Sequence, residues 1–180
     1  MRVFVLGLAM AAAGFAADVQ FVAEAATAMV DGELVKQIQT AKSAASMLKK
    51  DPRDPWAASD NYDVNHGPFV AVKKSLIRLS RLCPGPCDLN LWMPLAGAPG
   101  KVQVVIRNRH EISQFWVWGA LTQDMFPEMA RVLASGERVT VRKRAGMVSV
   151  LTPVRDSLDE IVALVEVVLQ EKVDPQENVQ

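Results

Sequence analysis

The most constraining feature of the sequence is a change of apolar spacing at the segment Cys83-Pro-Gly-Pro-Cys87. Before this segment, apolar residues recur every three or four positions, as on one face of a helix. After it, apolar and polar residues alternate in short runs bounded by turn formers, as in strands. Helices followed by strands predict an α+β domain, because each layer must bury its apolar face against another.

The helical half divides at a polar stretch. From Val19 to Lys50 the chain has no proline and keeps helical spacing, with one weak point at Asp31-Gly32. This pattern predicts a long N-terminal amphipathic helix. The turn-forming residues that follow predict a structured loop, and Pro68 at a first helical position opens a second helix.

The strand half predicts a roughly five-stranded, mainly antiparallel sheet. A short helix at Asp124–Ser135, ended by Gly136, interrupts the strands. The extended segments are Leu89–Leu95, Val102–Asn108, Phe115–Trp118, Arg138–Lys143, Met147–Thr152 and Ile161–Leu169.

Length and charge limit the domain count and the partners. A chain of 180 residues fits one domain, here residues 19–169, with a flexible polar tail at residues 170–180. Twenty Lys and Arg balance twenty Asp and Glu, so the net charge is zero. We therefore expect no binding to nucleic acid.

The N-terminal segment, residues 1–18, predicts export or membrane attachment. Arg2 precedes an uncharged run that ends at Asp18, and its large apolar members include Val3, Phe4, Leu6, Leu8 and Phe15. A signal peptide cleaved after Ala16 fits this pattern. An uncleaved helix that anchors the chain to the inner membrane also fits it, if the helix continues past Asp18. Either interpretation predicts a periplasmic or other extracytoplasmic location.

The two cysteines, Cys83 and Cys87, predict one local disulfide. An exported chain meets an oxidising compartment, and the three-residue spacer keeps the thiols close. The bridge would fix the turn between the second helix and the first strand.

Motifs for catalysis are missing from the sequence. Neither His66 nor His110 has metal-ligand spacing, and no nucleophile elbow or phosphate-binding glycine loop is present. We expect no enzymatic activity, no metal and no cofactor.

Aromatic residues suggest a ligand pocket. Trp92, Trp116 and Trp118, with Tyr62 and Arg107, would form a mostly apolar cavity with few polar groups. Simple core packing of these rings is the alternative, because one face of any strand must be buried.

The segments Gly136-Glu-Arg-Val-Thr-Val and Val148-Ser-Val-Leu-Thr-Pro-Val-Arg-Asp, with the apolar strand after them, resemble the closing strands of the Cache-type (PAS-like) sensor domains of bacterial receptors. Ala28-Met-Val-Asp-Gly-Glu-Leu resembles the N-terminal helix of that family. The resemblance implies a long helix continuing from a membrane segment, and a five-stranded antiparallel sheet with one face that holds a ligand. Leu158-Asp159 stands where the family usually has a glycine at the corner.

Two functions follow as expectations. The first is a sensor-like domain, without its own output domain, that binds a small ligand or a partner protein. The second is a structural accessory subunit of a larger membrane protein complex, anchored through the N-terminal helix. A homodimer is compatible with either.

Overall fold

One antiparallel sheet organises the described part of the chain, residues 19–49, 66–117, 120 and 122–171 of the computed structural model. The strand order is β3-β2-β1-β6-β5-β4, so β6 lies in the middle, between β1 and β5. The strands are β1 (Cys87–Pro94), β2 (Lys101–Ile106), β3 (Gln123–Asp124), β4 (Val139–Val141), β5 (Met147–Arg155) and β6 (Ile161–Gln170).

Helices cover both faces of this sheet, and the predicted α+β class is confirmed. Residues 19–29 are helical and are called α1. The remaining helices are α2 (Gly32–Ile38), α3 (Ala41–Lys49), α4 (Gly67–Ser80) and α5 (Pro127–Ser135).

The long N-terminal helix is replaced by three short ones, which corrects that prediction. Asp31 leaves the helical conformation, and its carboxylate accepts the amide N–H groups of Glu33 and Leu34, which caps α2. Thr40 and Ser43 exchange side-chain to backbone hydrogen bonds at the start of α3. In a continuous helix these amide N–H groups would donate to backbone carbonyls of the preceding turn. The caps accept them instead, so one helix can end and the next can begin in a different direction at both points.

The first face of the sheet carries the main apolar core. In β6, Val165 and Val167 point to this face and lie under the helices. Leu76 and Leu79 of α4, together with Val22 of α1, are buried against it. Every second residue of β6 contributes to this layer, because successive side chains of a strand point to opposite faces, and the residues between them are buried on the other face.

The second face has a smaller core beneath α5. Met129 and Val132 of α5 are fully buried with Leu151 and Leu164 of the sheet. Phe115, from the segment after β2, completes this cluster and contacts Phe126 edge to face.

The predicted strand at Phe115–Trp118 is wrong for its described residues, 115–117. The Ser113 hydroxyl accepts the amide N–H groups of both Phe115 and Trp116 at 3.0 Å. This local turn curls the backbone away from an extended path. Trp118 lies outside the described residues, and the short β3 is an additional strand that was not predicted.

The disulfide between Cys83 and Cys87 is present, as predicted. It joins the turn after α4 to the first residue of β1. The amide of Gln170 donates to the Pro86 carbonyl at 3.1 Å, which brings the end of β6 to the same turn. The bridge therefore stabilises the point where the helical layer passes into the sheet.

A tight corner joins β5 to β6. Asp159 has a positive φ of 64°, a conformation that glycine adopts most easily. The Asp156 carboxylate accepts the amides of Leu158 and Glu160 and pairs with Lys36 of α2 at 2.9 Å. The corner is thus closed by local hydrogen bonds and is tied to the helical layer.

None of the described helices is both long and apolar enough to cross a bilayer. Residues 1–18, on which the predicted membrane segment falls, lie outside the described residues.

Gly32 should not tolerate a side chain. A Cβ atom at this position would lie 2.2 Å from the carbonyl oxygen of Arg155, which is backbone and cannot rotate away. We expect Gly32→Ala to lower the free energy of unfolding by roughly 1–3 kcal/mol, as in overpacked cores. Urea denaturation measures this. Gly67→Ala is the control, since nothing lies within 4 Å of its added methyl group, and an equal loss in both variants would contradict the packing argument.

Candidate functional site

A polar patch interrupts the second face of the sheet at its centre. Asp88 and Asn90 of β1, Ser149 of β5 and Glu166 of β6 point to this face and are almost completely buried. Asn90 and Glu166 are direct cross-strand partners. Polar side chains at the centre of a sheet are costly unless they are hydrogen-bonded, so their partners define what the patch does.

Residues 107–117, called here the strap, cover this patch. The Asp88 carboxylate accepts the backbone N–H groups of His110 at 2.9 Å and of Ile112 at 3.0 Å. Asn90 donates to the Ile112 carbonyl at 2.7 Å and accepts the amide of Asn108 at 3.2 Å. Two side chains of β1 therefore form the hydrogen bonds that the backbone of the strap, which is not part of a strand, would otherwise lack.

Glu166 is the centre of the patch. Its carboxylate has five hydrogen-bond donors around it, and these come from two strands and the strap. The contacts are Asn90 Nδ2 at 3.3 Å, Trp92 Nε1 at 3.2 Å, Ser113 Oγ at 2.6 Å, the Gln114 amide at 2.8 Å and Ser149 Oγ at 2.9 Å.

The environment of Glu166 shifts its titration. Burial raises the pKa of this carboxyl above its ordinary value, and the hydrogen bonds from Ser113, Gln114 and Ser149 oppose the shift without cancelling it. Neither Glu166 nor Asp88 forms an ion pair with a described residue. The strap thus helps to hold both carboxyl groups away from water, and no described residue supplies a cation to either of them.

Gln114 links the strap to the hairpin of β4 and β5. Its side-chain amide donates to the Val141 carbonyl and to Ser149 Oγ, both at 2.9 Å. Its side-chain oxygen accepts the backbone amides of Lys143 and Arg144. One buried side chain therefore makes four hydrogen bonds that join three segments.

A cleft of about 390 Å³ lies between the strap and this hairpin. Its walls include the apolar groups of Ile112, Trp116 and Met147, and it also carries Glu111 and Arg144, which have opposite charges. Ser113 lines the cleft as well, so the cleft and the Glu166 network share a residue. A volume of this size accommodates a small organic molecule.

The predicted ligand residues fall into three groups. Arg107 and Trp116 are brought together, with the guanidinium 4.7 Å from the centre of an indole ring. Trp92 is on the same face of the sheet but is buried in the core, where its indole N–H donates to Glu166. Trp116 also packs against the apolar cluster that contains Trp92. Tyr62 and Trp118 lie outside the described residues.

Sequence reasoning missed Glu166, Asp88, Asn90 and Gln114. One signal was present, since Glu166 is the only charged residue within the apolar run of β6. A second was the alternation Asp88-Leu-Asn90 at the start of β1, which places two polar side chains on one face. Such residues inside strands indicate either partners from another segment or a site.

A larger groove of about 730 Å³ runs between α1 and the end of β5. Both arginine side chains that line it, Arg138 and Arg155, form ion pairs within the protein. Arg138 pairs with Glu24 at 3.6 Å and Arg155 with Asp159 at 3.5 Å. The cleft beside the strap, where an aromatic wall meets two charged groups, is the better candidate site.

Among the described residues, no group of three or more His, Cys, Asp and Glu side chains is arranged to hold a metal ion. Comparison with protein-family models, characterised proteins and solved structures gives no significant match to this chain.

Gln114→Ala should destabilise the protein strongly. The truncation leaves the backbone groups of Val141, Lys143 and Arg144 without their side-chain partner, and we expect a loss of roughly 2–4 kcal/mol in the free energy of unfolding. Chemical denaturation provides the measurement. Gln37→Ala, which removes one exposed hydrogen bond to Glu33, should change this free energy by less than about 0.5 kcal/mol. Similar losses in the two variants would refute the linking role of Gln114.

Proposed function

We propose that the chain is an extracytoplasmic sensor-like domain that binds a small ligand in the cleft between the strap and the β4–β5 hairpin. The observation that carries this proposal is the cleft itself, with Trp116 on its wall and charges of both signs at Glu111 and Arg144. A mostly apolar concave site with a few polar groups is the usual form of a small-molecule site.

The lining indicates the chemistry of the ligand. Trp116, Ile112 and Met147 offer apolar surface to an uncharged body, while Arg144 suits an acidic group and Glu111 a basic one. Arg107 stacks on Trp116 and also lies 3.8 Å from Glu111, so it holds both groups in place. We infer a small amphipathic molecule with an apolar body and at least one charged group.

The disulfide supports the extracytoplasmic location, because such bonds persist in oxidising compartments. The apolar segment at residues 1–18 supports the same location and adds the membrane as a partner, through a cleaved signal or a retained anchor. An antiparallel sheet with N-terminal helices on one face and a covered site on the other is in keeping with the resemblance to Cache-type sensors.

Ligand binding is tested by a thermal shift screen of the full-length chain against small acids, amines and amino acids. A ligand at one hundred times its Kd should stabilise the folded state by about 2.7 kcal/mol. Trp116→Ala should remove this stabilisation, because it deletes the aromatic wall. Leu158→Ala, an exposed residue outside the cleft, should retain it.

Two results would count against the proposal. One is the absence of stabilisation by every member of the panel. The other is an equal stabilisation of wild type and Trp116→Ala, which would place any binding outside the cleft.

The second candidate function is a structural accessory subunit of a membrane protein complex. The observation that favours it is the exposure of Phe21 (62%) and Met29 (55%) on α1, the helix that follows the apolar N-terminal segment. Large exposed apolar side chains are common at protein interfaces. Trp92 does not contribute to such a surface, because its side chain is buried.

Extraction of the full-length chain from membranes in mild detergent tests this second function. If the chain is such a subunit, it should elute at a mass far above that of a monomer, and the double variant Phe21→Glu with Met29→Glu should shift it to the monomer. Leu158→Glu is the control for adding charge at an exposed apolar position. Recovery of wild type only as free monomer would eliminate this candidate, and intact mass on the same sample shows whether residues 1–17 are retained.

A further inference from the structure

We propose that the C-terminal segment, residues 172–180, occupies the candidate cleft of its own chain. The segment lies outside the described residues, and the last described residue before it is Glu171. Three features of the described residues support this contact. They are the place where the described chain ends, the open apolar wall of the cleft, and one charge in the cleft that has no ion-pair partner.

The described chain ends beside the cleft. The Glu171 amide donates to the Gly146 carbonyl at 2.8 Å, and the Glu171 carboxylate pairs with Arg142 at 2.6 Å. Gly146 directly precedes Met147, which lines the cleft. Met147 and Gln170 are cross-strand partners, so their side chains point to the same face of the sheet. The C-terminal segment therefore starts at the wall of the cleft, next to a residue that two contacts hold in place.

The distance from this starting point to the cleft is short. An extended chain advances by at most about 3.6 Å per residue, so the Cα atom of Val173 lies within roughly 7 Å of that of Glu171, and the Cα atom of Asp174 within roughly 11 Å. A group held by so short a connection has an effective concentration in the millimolar range at a nearby site. A contact that is weak between separate molecules is thus well populated within one chain.

The apolar wall of the cleft is open to water. Val117 lines the cleft and is 55% exposed, and Ile112, Trp116 and Met147 are only half-buried. Covering such a surface with an apolar side chain is favourable, because it removes apolar area from water. Val173 is the first apolar residue after β6, so it is the side chain best placed to cover this wall.

The charge in the cleft favours an acidic occupant. Of the two charged residues described in its lining, only Arg144 forms no ion pair with a described residue. The Arg144 backbone is fixed, since its amide donates to the Gln114 side chain at 3.0 Å. Glu111, the other charged residue, pairs with Arg107 at 3.8 Å. Asp174 follows Val173 directly and supplies the carboxylate that Arg144 lacks.

Occupation of the cleft would regulate ligand binding, a consequence that rests on the proposed function, whereas the contact itself does not. A ligand binds only to the fraction of molecules whose cleft is free. If the C-terminal segment fills the cleft nine-tenths of the time, the apparent Kd of the ligand rises about tenfold. A bound ligand, in turn, displaces the segment.

NMR of the full-length chain without added ligand tests the contact. In protein with labelled valine methyl groups, nuclear Overhauser contacts should join the methyl groups of Val173 to the indole ring of Trp116. Val173→Ala should abolish them, and Val179→Ala, which shortens another valine of the same segment, should leave them in place. If the contacts arise only between differently labelled molecules in a mixed sample, a second copy supplies the segment and the proposal is wrong.

A pair of charge variants tests the role of Arg144. Asp174→Asn should shift the Nε–H resonance of Arg144 and weaken the contacts between Val173 and Trp116. Glu160→Gln also removes one negative charge, at an exposed position at the other end of β6, and should do neither. The absence of the contacts in the wild type, or equal effects of the two variants, would overturn the proposal.

Ligand binding separates this proposal from the proposed function. Any acid of the thermal shift panel that binds the wild type should bind Val173→Ala several-fold to about tenfold more tightly, whereas Val179→Ala should match the wild type. If no acid binds but the contacts to Trp116 are present, the small-ligand function fails and the internal contact stands. If an acid binds all three proteins equally and the contacts are absent, the internal contact is refuted and the small-ligand function stands.

Discussion

The buried carboxylate of Glu166 is the interaction on which the second face of the sheet depends. It collects donors from β1, β5 and the strap, so three segments distant in sequence meet at one side chain. Because these partners are neutral, the carboxylate is held by hydrogen bonds alone. The position of the strap, and with it the wall of the cleft, follows from this arrangement.

The two faces of the sheet are built differently. The helical face is an apolar layer in which Val165 and Val167 alternate with residues of the other face, and it provides the main core. The second face combines a small apolar cluster around Phe115 and Leu164 with the polar patch. Stability therefore resides mainly on one face, and the other is free to carry a covering segment held by polar contacts.

Periodicity predicted the elements whose structure is local. The short apolar segments of β1, β5 and β6 and the start of α4 near Pro68 were readable, because strands that are buried on both faces carry such segments. The break at Asp31 was visible as a weak point, but its strength depends on a side-chain cap that sequence spacing does not show. The segment at Phe115 has strand-like composition, yet the hydroxyl of Ser113 accepts the amide of Phe115, so a local side-chain to backbone hydrogen bond overrides propensity.

The candidate site was predictable only in part for a similar reason. The sequence predicts that Trp92 and Trp116 both line a ligand pocket. In the structure Trp92 is buried in the core, and Trp116 lies on the wall of the cleft. What separates them is the strand register, since the pairing of Trp92 with Leu164 places its ring beneath the strap. Glu166 was visible as an isolated charge, but its partners lie up to 76 positions away and meet it only in the folded chain.

The central position of β6 has a consequence for how the molecule forms. β1 and β5 both pair with β6, although β1 precedes it by some seventy residues. The two halves of the sheet can therefore join only after residues 161–170 have been made, and pairings of such long range form slowly. Until those residues are available, no strand joins the β1–β2 pair to the β4–β5 pair. The last strand of the chain is therefore the one that makes a single sheet out of two separate strand pairs.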